Sequence, residues 1–444
     1  MNKIGLVGGG AREHIMAETL RKSGLDIVAF AHNLNPGIKK LAIKYNQIDE
    51  SKVSDIAEEM SREGIDMAVV GPEKPLVLGI TDLLEKKGIR VFGPDKKGAM
   101  IEGSKYFTRE LLNRNHIEGN IKYQFIKDRD NASRVIESWE GDFAIKPVGL
   151  TGGKGVKVLG EQLGSRREAV DYAFELLEQY KEGFIIEERV YGEEFTLQAI
   201  VSKNNFIPLP LVQDHKKLLD GDNGPNTGGM GSYSMEDGNL PFIPEYDKIK
   251  AVKIMKDSID AMRREGVNYK GILYGGFMET ADGPLLLEYN CRFGDPEIIN
   301  ILTSLKTDFY SIVKGTIENN IDTVAFNPVA TVCRYVVPRG YGTRPVENAE
   351  ITVEDSLSSM DNPRIYYASV NMDNGGIYTT SSRSIAVVGY GSSIAVAEEK
   401  CGYGVGKIHG NLHSRTDIGK KESLERKIAN IAALRKGYTH HTHP

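Results

Sequence analysis

A chain of 444 residues is too long for one ordinary hydrophobic core and implies two to four domains. Its formal net charge of −5 argues against nucleic-acid binding through a general basic surface, a local basic cleft aside, and 26% charged with 40% hydrophobic residues is an ordinary soluble globular balance. Three dispersed cysteines, Cys291, Cys333 and Cys401, offer neither a disulfide framework nor a zinc motif, and no apolar run reaches the length of a membrane span. With Lys3 leading straight into IGLVGGG and no secretory signal region, a reducing, cytoplasmic setting is expected.

Residues 3–7 read as an apolar strand, 8–10 as a glycine turn and 12–22 as a helix with Ile15, Met16, Thr19 and Leu20 on its inner stripe. Amides at such a turn and the helix N-terminus behind them attract phosphate, and Arg12 adds a cation. Strands at 26–30, 67–70 and 90–92 alternate with helices at 54–62 and 77–87, which predicts a doubly wound parallel sheet. Within GGGAREH, Glu13 stands where a dinucleotide fingerprint needs its third glycine, so one phosphorylated substrate is favoured over NAD. A tight turn without ligand is the plain alternative. GPEKPL then presents Glu73 after the third of these strands, either to substrate hydroxyls or as a cap for the following helix.

A second module opens at Gly103-Ser104-Lys105 with a helix to about 114. Strand 123–125, helix 132–139 and strand 143–146 follow, the last ending in Lys146 before a glycine loop that carries Gly153, Lys154 and Gly155. This is not a Walker A loop, because Gly155 replaces the Ser or Thr after the lysine, yet it can fold over a triphosphate with amides and one cation. Lys105 and Lys146 add positive charge; a lone lysine is ordinarily solvated surface, but one at a strand end beside a glycine loop points to phosphate. After a helix over 165–180, strand 184–190 ends in Glu187, Glu188, Arg189 and Val190, whose backbone can meet an adenine edge while a nearby acid accepts ribose hydroxyls.

The glycine-rich stretch 213–231 is too long for an ordinary connection and is read as functional. A helix over 245–264 and a strand over 272–279 lead, across Asp282-Gly283, into LLLEYNCRFGDPE at 285–297. Two-residue alternation puts Glu288, Asn290 and Arg292 on one face and Tyr289 and Cys291 on the other. A carboxylate, an amide and a guanidinium suit a site better than a core: Glu288 and Asn290 offer hard oxygens to Mg²⁺, and Arg292 offers a fork to a carboxylate or phosphoryl group. The hairpin is expected to bring Glu279 near Glu288, giving two carboxylates for two metal ions. The plainer possibility is an edge strand ending in an exposed salt bridge from Arg292 to Asp295 or Glu297. A helix over 308–318 closes the module. A strand at 329–337, several short strands to 391, a helix at 392–403, the polar turn RTDIG and a charged final helix complete the chain, and no metal site is expected in the His-containing tail.

Taken in order, GGGAREH, GPEKPL, EGSK, KPVGLTGGKGV, QDHKKLLDGDNGPNTGGMGSY, LEYNCRFGDPE and RTDIG resemble the phosphoribosylamine–glycine ligases, an ATP-grasp family of purine synthesis, over nearly the whole chain. The resemblance implies an α/β protein: a doubly wound parallel-sheet domain at 1–103, an ATP-grasp region at 104–326 with a small lid at about 120–190, a mixed α+β domain at 327–436 and a tail at 437–444. It implies that glycine is activated by ATP as glycyl phosphate and captured by 5-phosphoribosylamine. Lys105, Lys146 and Lys154, with Gly153 and Gly155, would hold the ATP phosphates; Glu187, Glu188, Arg189 and Val190 the adenine; Glu194 the ribose. Glu288, Asn290 and Glu279 would hold Mg²⁺ or Mn²⁺. Arg292 would orient the glycine carboxylate, Asp214 the amine, and Gly9, Gly10 and Glu73 the ribosyl phosphate; Arg12, from the glycine-turn reading, and Asp295 are further expected substrate-binding residues. The implied partners are these small molecules, with neither nucleic acid nor membrane, acting on a monomer or small homo-oligomer. Ile298-Ile299 departs from the Thr-Gln of many relatives at the site edge, and Ser381-Ser382 from a glycine pair before Arg383. A purine-pathway carboxylase or formate-dependent transferase is the nearest rival; a regulatory nucleotide binder and an oxidoreductase are more distant ones.

Overall fold

The computed structural model describes residues 3–150, 155–358 and 360–437. At its N-terminus five parallel strands lie in the order Lys44–Gln47, Asp26–Ala31, Lys3–Val7, Met67–Val70, Arg90–Phe92. The central strands are apolar and buried on both faces, as a parallel sheet covered by helices requires. The order of strands reverses between Lys3–Val7 and Met67–Val70, and a crevice therefore opens beyond their C-terminal ends, where the two glycine turns lie.

Two helices predicted as continuous are divided. The one expected at 77–87 consists of Glu73–Val77 and Ile80–Lys86, parted at Gly79. The one expected from Gly103 consists of Met100–Gly103 and Lys105–Arg114, because Ser104 is extended and caps the second piece by accepting the Phe107 N–H at 3.2 Å. Helix Pro36–Leu41 and strand Lys44–Gln47 escape the periodicity reading, being too short to show a repeat.

The region expected as a lid has its own core. Strands Tyr123–Ile126, Phe184–Glu188, Phe143–Pro147 and Lys157–Val158 form one sheet, and helices Arg129–Ser138 and Arg166–Gln179 bury Ile136, Phe143, Ala173 and Phe184 against it. The second sheet of this region orders Phe206–Pro208, Glu193–Val201, Gly271–Thr280 and Gly283–Asn290, backed by helix Glu245–Arg264. Arg109 joins the two: its Nε reaches Glu187 Oε1 at 2.7 Å, and its Nη1 and Nη2 donate to the carbonyls of Leu286 and Leu287 at 2.8 and 3.0 Å.

The C-terminal region does not begin cleanly at 327. Its main sheet orders Gln213–Asp214, Gly231–Ser234, Ala330–Pro338, Ile385–Gly391 and Arg364–Tyr367, so both ends of the glycine-rich stretch are strands of this sheet. Between them, Lys217–Leu219 and Asn223–Asn226 form a small hairpin. Helix Ile394–Val405 packs on the sheet, and helix Lys421–Arg435 returns to the strands Glu193–Val201 and Gly271–Thr280. Among the described residues no helix is long and apolar enough to cross a membrane.

Candidate active site

The N-terminal crevice is lined by the triplet Gly8, Gly9 and Gly10 and by the turn before Glu73. Gly10 precedes helix Ala11–Lys22, and Glu13 folds back over the turn, its Oε2 accepting the Gly10 N–H at 2.7 Å and its Oε1 accepting from Arg12 Nε at 2.7 Å. A Cβ on Gly71 would lie 1.9 Å from Glu13 Oε1, so the missing side chain there is what gives this carboxylate its place. Arg12 departs from the phosphate-facing expectation. It is buried, held by Glu13 beside it and donating from Nη1 to the Phe293 carbonyl at 3.1 Å, and so braces the first helix against the RFGD turn. The Gly9 carbonyl accepts from the amides of Asn33 and Asn35, while its N–H has no hydrogen bond among the described residues.

Glu73 starts helix Glu73–Val77 and pairs with Arg292 Nε at 3.2 Å. Burial opposes its charge, but Arg292 and Arg12 outweigh this and hold the carboxyl down at about 2. Arg292 Nη2 also meets Glu102 Oε1 at 3.1 Å, and the other Glu102 oxygen accepts the Cys291 N–H at 2.7 Å. Arg292 thus connects the crevice of the first sheet with the end of strand Gly283–Asn290.

That strand does not alternate strictly. Gly276 pairs with Glu288 and Phe277 with Leu286, so Leu287 is an extra residue on one side of the ladder. The slip buries Leu286 and Tyr289 together, with the Tyr289 hydroxyl 2.8 Å from Ser258 Oγ, and leaves Glu288 and Asn290 on the other face. Among the described residues neither of these two side chains has a hydrogen bond or ion pair. Burial opposes ionisation of Glu288, yet Lys216, Lys105, Lys146 and Arg292 together hold its carboxyl below the usual range. An ionised carboxylate and an amide oxygen, adjacent and unpartnered, fit a hard divalent cation.

Glu279 does not join them. It stands opposite Pro284, three residues beyond the Gly276–Glu288 pair, and is fully buried with Asp247 against Arg435 of the last helix. Burial and the bond with Asp247 push its carboxyl up to about 8. The two-carboxylate metal site expected from the hairpin is corrected accordingly: the residue facing Glu288 is a glycine.

On the lid side Lys146 Nζ is 2.5 Å from Glu187 Oε2, and Lys105 Nζ donates to the Gly149 carbonyl at 2.9 Å. Glu187 lies buried between Arg109 and Lys146, which overcome the effect of burial and hold it at about 2. Its side chain is therefore committed to the protein, as is that of Arg189, which pairs with Glu161 at 2.7 Å and stacks on Tyr191. The N–H groups of Glu188 and Arg189 donate to Lys122 and Asp142, whereas the N–H and C=O of Val190 have no hydrogen bond among the described residues. Gly155 accepts from the Tyr172 hydroxyl at 2.8 Å. Gly153 and Lys154 lie outside the described residues.

The glycine-rich stretch supplies the opposite wall. Lys216 Nζ pairs with Glu194 Oε2 at 2.8 Å, and Asp214 Oδ1 is buried with no hydrogen-bond partner. Burial and the neighbouring Glu297 push Asp214 well above the usual carboxylate range. The Asp295 carboxylate has partners within the protein: Arg383 Nη2 is 3.0 Å from its Oδ2, and the Tyr335 hydroxyl donates to its Oδ1 at 2.5 Å. Glu102, Arg109, Lys216 and Arg383 escaped the sequence reading as site residues; for Glu102 and Lys216 the signal was present as charges inside EGSK and QDHKK.

Models of the phosphoribosylglycinamide synthetase N domain, ATP-grasp (A) domain and C domain match residues 2–102, 103–298 and 331–421. Phosphoribosylamine–glycine ligase of Methanosarcina barkeri is 45% identical over 440 residues, covering 98% of this chain and all of its own length. That of Methanocella arvoryzae is 44% identical over 438 residues with the same coverage. The crystal structure of the Thermotoga maritima ligase superposes with a TM-score of 0.79 at 27% identity, covering 94% of this chain and 100% of its own. The biotin carboxylase domain of Hydrogenobacter thermophilus 2-oxoglutarate carboxylase, at 15% identity and a TM-score of 0.71 over 98% of this chain and 95% of its own, shares the fold alone. With all three domain models in order and relatives matched over their full length, the chain belongs to the phosphoribosylamine–glycine ligase family.

Proposed function

We propose that this chain is an ATP-dependent ligase that joins glycine to 5-phosphoribosylamine, forming glycinamide ribonucleotide, ADP and phosphate. The observation that carries the reading is Glu288, whose side chain has no hydrogen bond or ion pair among the described residues and whose ionised form is favoured by Lys105, Lys146, Lys216 and Arg292. Four cations around one acid suit a triphosphate with its cation better than they suit a core.

A glycine carboxylate oxygen attacks the γ-phosphorus, the bond to the β-phosphate bridging oxygen breaks, and ADP leaves. The amine of 5-phosphoribosylamine then attacks the carbonyl carbon of glycyl phosphate, phosphate departs, and the amine proton is released. Both steps are governed by positioning and charge, so no nucleophilic side chain is required. Lys105 and Lys146 neutralise phosphate oxygens, Val190 offers its backbone to adenine, and Glu194 accepts from the ribose hydroxyls. Arg292, held by Glu73 and Glu102, orients the glycine carboxylate and then the acyl phosphate. Asp214, with an oxygen free, accepts from the amine, and the Gly9 amide faces the ribosyl phosphate. Glu288 and Asn290 would hold Mg²⁺ or Mn²⁺, which would supply neutralisation of the phosphate charge when bound.

The test is ADP release measured with glycine alone, with 5-phosphoribosylamine alone, and with both. Turnover that needs both supports the ligase; turnover indifferent to either omission removes it.

A further inference from the structure

The C-terminal segment after residue 414 makes a set of buried ionic contacts that the proposed chemistry does not use. Arg415 is fully buried. Its Nε and Nη2 bond both oxygens of Asp417 at 2.8 and 2.7 Å, and its Nη1 donates to Asp222 Oδ1 at 2.9 Å and to the Lys217 carbonyl at 3.0 Å. Asp417 Oδ2 accepts the Gly221 N–H at 2.9 Å, and Asp220 accepts from the Thr416 N–H and hydroxyl at 2.8 and 2.5 Å. The hairpin Lys217–Leu219 and Asn223–Asn226 is therefore fastened to the RTDIG turn at its base and at its tip.

The following helix grips a second place. Lys427 Nζ lies 2.9 Å from Glu193 Oε2 and 3.5 Å from Asp222 Oδ2, and Asn430 Nδ2 donates to Glu193 Oε1 at 2.7 Å. Lys217 and Glu193 are the chain neighbours of Lys216 and Glu194, the two members of an ion pair on the nucleotide side of the site. One C-terminal segment thus holds the residue next to each end of that pair. The Lys216 carbonyl is also fixed, accepting from the Thr227 N–H at 2.7 Å and hydroxyl at 2.8 Å, so the side chain is the freedom left to this residue.

Burying a guanidinium, an ammonium and several carboxylates gives little net stability compared with apolar packing, but it defines geometry closely, because a planar fork accepts few alternative arrangements. We propose that Arg415 is a positioning residue for the Lys216–Glu194 pair, and that the segment 415–430 is thereby an integral part of the nucleotide site. The inference deepens the ligase reading and rests on its nucleotide site, not on its acceptor.

Arg415→Lys in the full-length chain keeps the charge and removes the fork. Its dissociation constant for MgADP is expected to rise about tenfold, the scale of one lost charge-assisted hydrogen bond, with the KM for 5-phosphoribosylamine unchanged. A general loosening would move both, and that result, or an unaltered MgADP affinity in a folded variant, overturns the proposal. If Arg415→Lys does not fold, Asn430→Ala decides: it removes only the bond to Glu193 and is expected to weaken MgADP about threefold, and no change refutes the positioning role. A parent chain that binds MgADP but does not join the two other substrates removes the ligase reading while leaving the MgADP comparison able to test this one.

Discussion

Glu102 faces Arg292 across 3.1 Å while its second oxygen is held by the Cys291 N–H, so the guanidinium expected to meet glycine is aimed by an acid that sits behind it. Burial, helped by Glu73 and opposed by Arg292, pushes the Glu102 carboxyl up to about 7. Its ionised form is the one that braces Arg292 fully. We expect kcat/KM for glycine to rise with pH through about 7 and then level, and the Glu102→Gln variant to lose that limb while remaining folded. The linked stability has the opposite sense. A folded pKa above the unfolded value of about 4.3 gives stability that is complete below that value and is lost as pH climbs toward 7. A pH–rate profile of parent and variant checks the first, and denaturant titration across the same range the second.

Glu187 is the contrasting case. Arg109 and Lys146 hold it at about 2 in the folded protein, against burial. Its contribution is present above the ordinary carboxylate pKa and disappears as pH falls toward 2. Replacing it by Gln leaves Arg109 buried with less than its full complement of acceptors between lid and sheet, and the expected cost is about 3–5 kcal/mol of unfolding free energy. Urea unfolding at neutral pH measures it directly; a loss below about 1 kcal/mol would show the triad to be dispensable.

Gly229 makes a prediction of another kind. Its φ of +104° is unfavourable for other residues, and an added Cβ would lie 2.9 Å from Asp214 Oδ1 and 2.8 Å from Pro296 Cδ. Gly229→Ala is expected to lower kcat by about tenfold or more through displacement of Asp214, while MgADP binding, which the proposed function assigns to Lys105, Lys146 and the Lys216–Glu194 pair and not to Asp214, is retained. Equal losses in both measurements would instead indicate collapse of the loop.

What could be read from the sequence was local. The β-Gly-α start, the strand ending in Lys146, and the pairing of Glu288 with Asn290 follow from periodicity and residue chemistry within a few positions. What could not be read is the choice of distant partners. Arg12 looked like a phosphate ligand, but the neighbouring Glu13 and the carbonyl of Phe293 claim it. Asp295 looked like a substrate contact, but Arg383, far along the chain, takes its carboxylate. The extra residue at Leu287 is equally hidden, since a run of three leucines is apolar in either register.

Glu288 and Glu279 test the metal assignment as a pair, since both are acids on adjoining strands and only the register separates them. Glu288 has no partner among the described residues and is surrounded by cations, so Glu288→Gln should fold normally, lower kcat by at least about a hundredfold and raise the Mg²⁺ concentration needed for half-maximal turnover. Glu279 is sealed beside Asp247 under Arg435, so Glu279→Gln should leave the Mg²⁺ dependence unchanged and act on stability alone. The sign there is also set: with its carboxyl near 8, Glu279 is largely protonated at neutral pH, and Gln resembles that form. The variant should therefore cost little below pH 7 and gain relative to the parent above pH 8, where the parent must ionise a buried acid. Magnesium titrations and melting curves of the two variants separate the roles, and a shifted metal requirement in Glu279→Gln would return that carboxylate to the site.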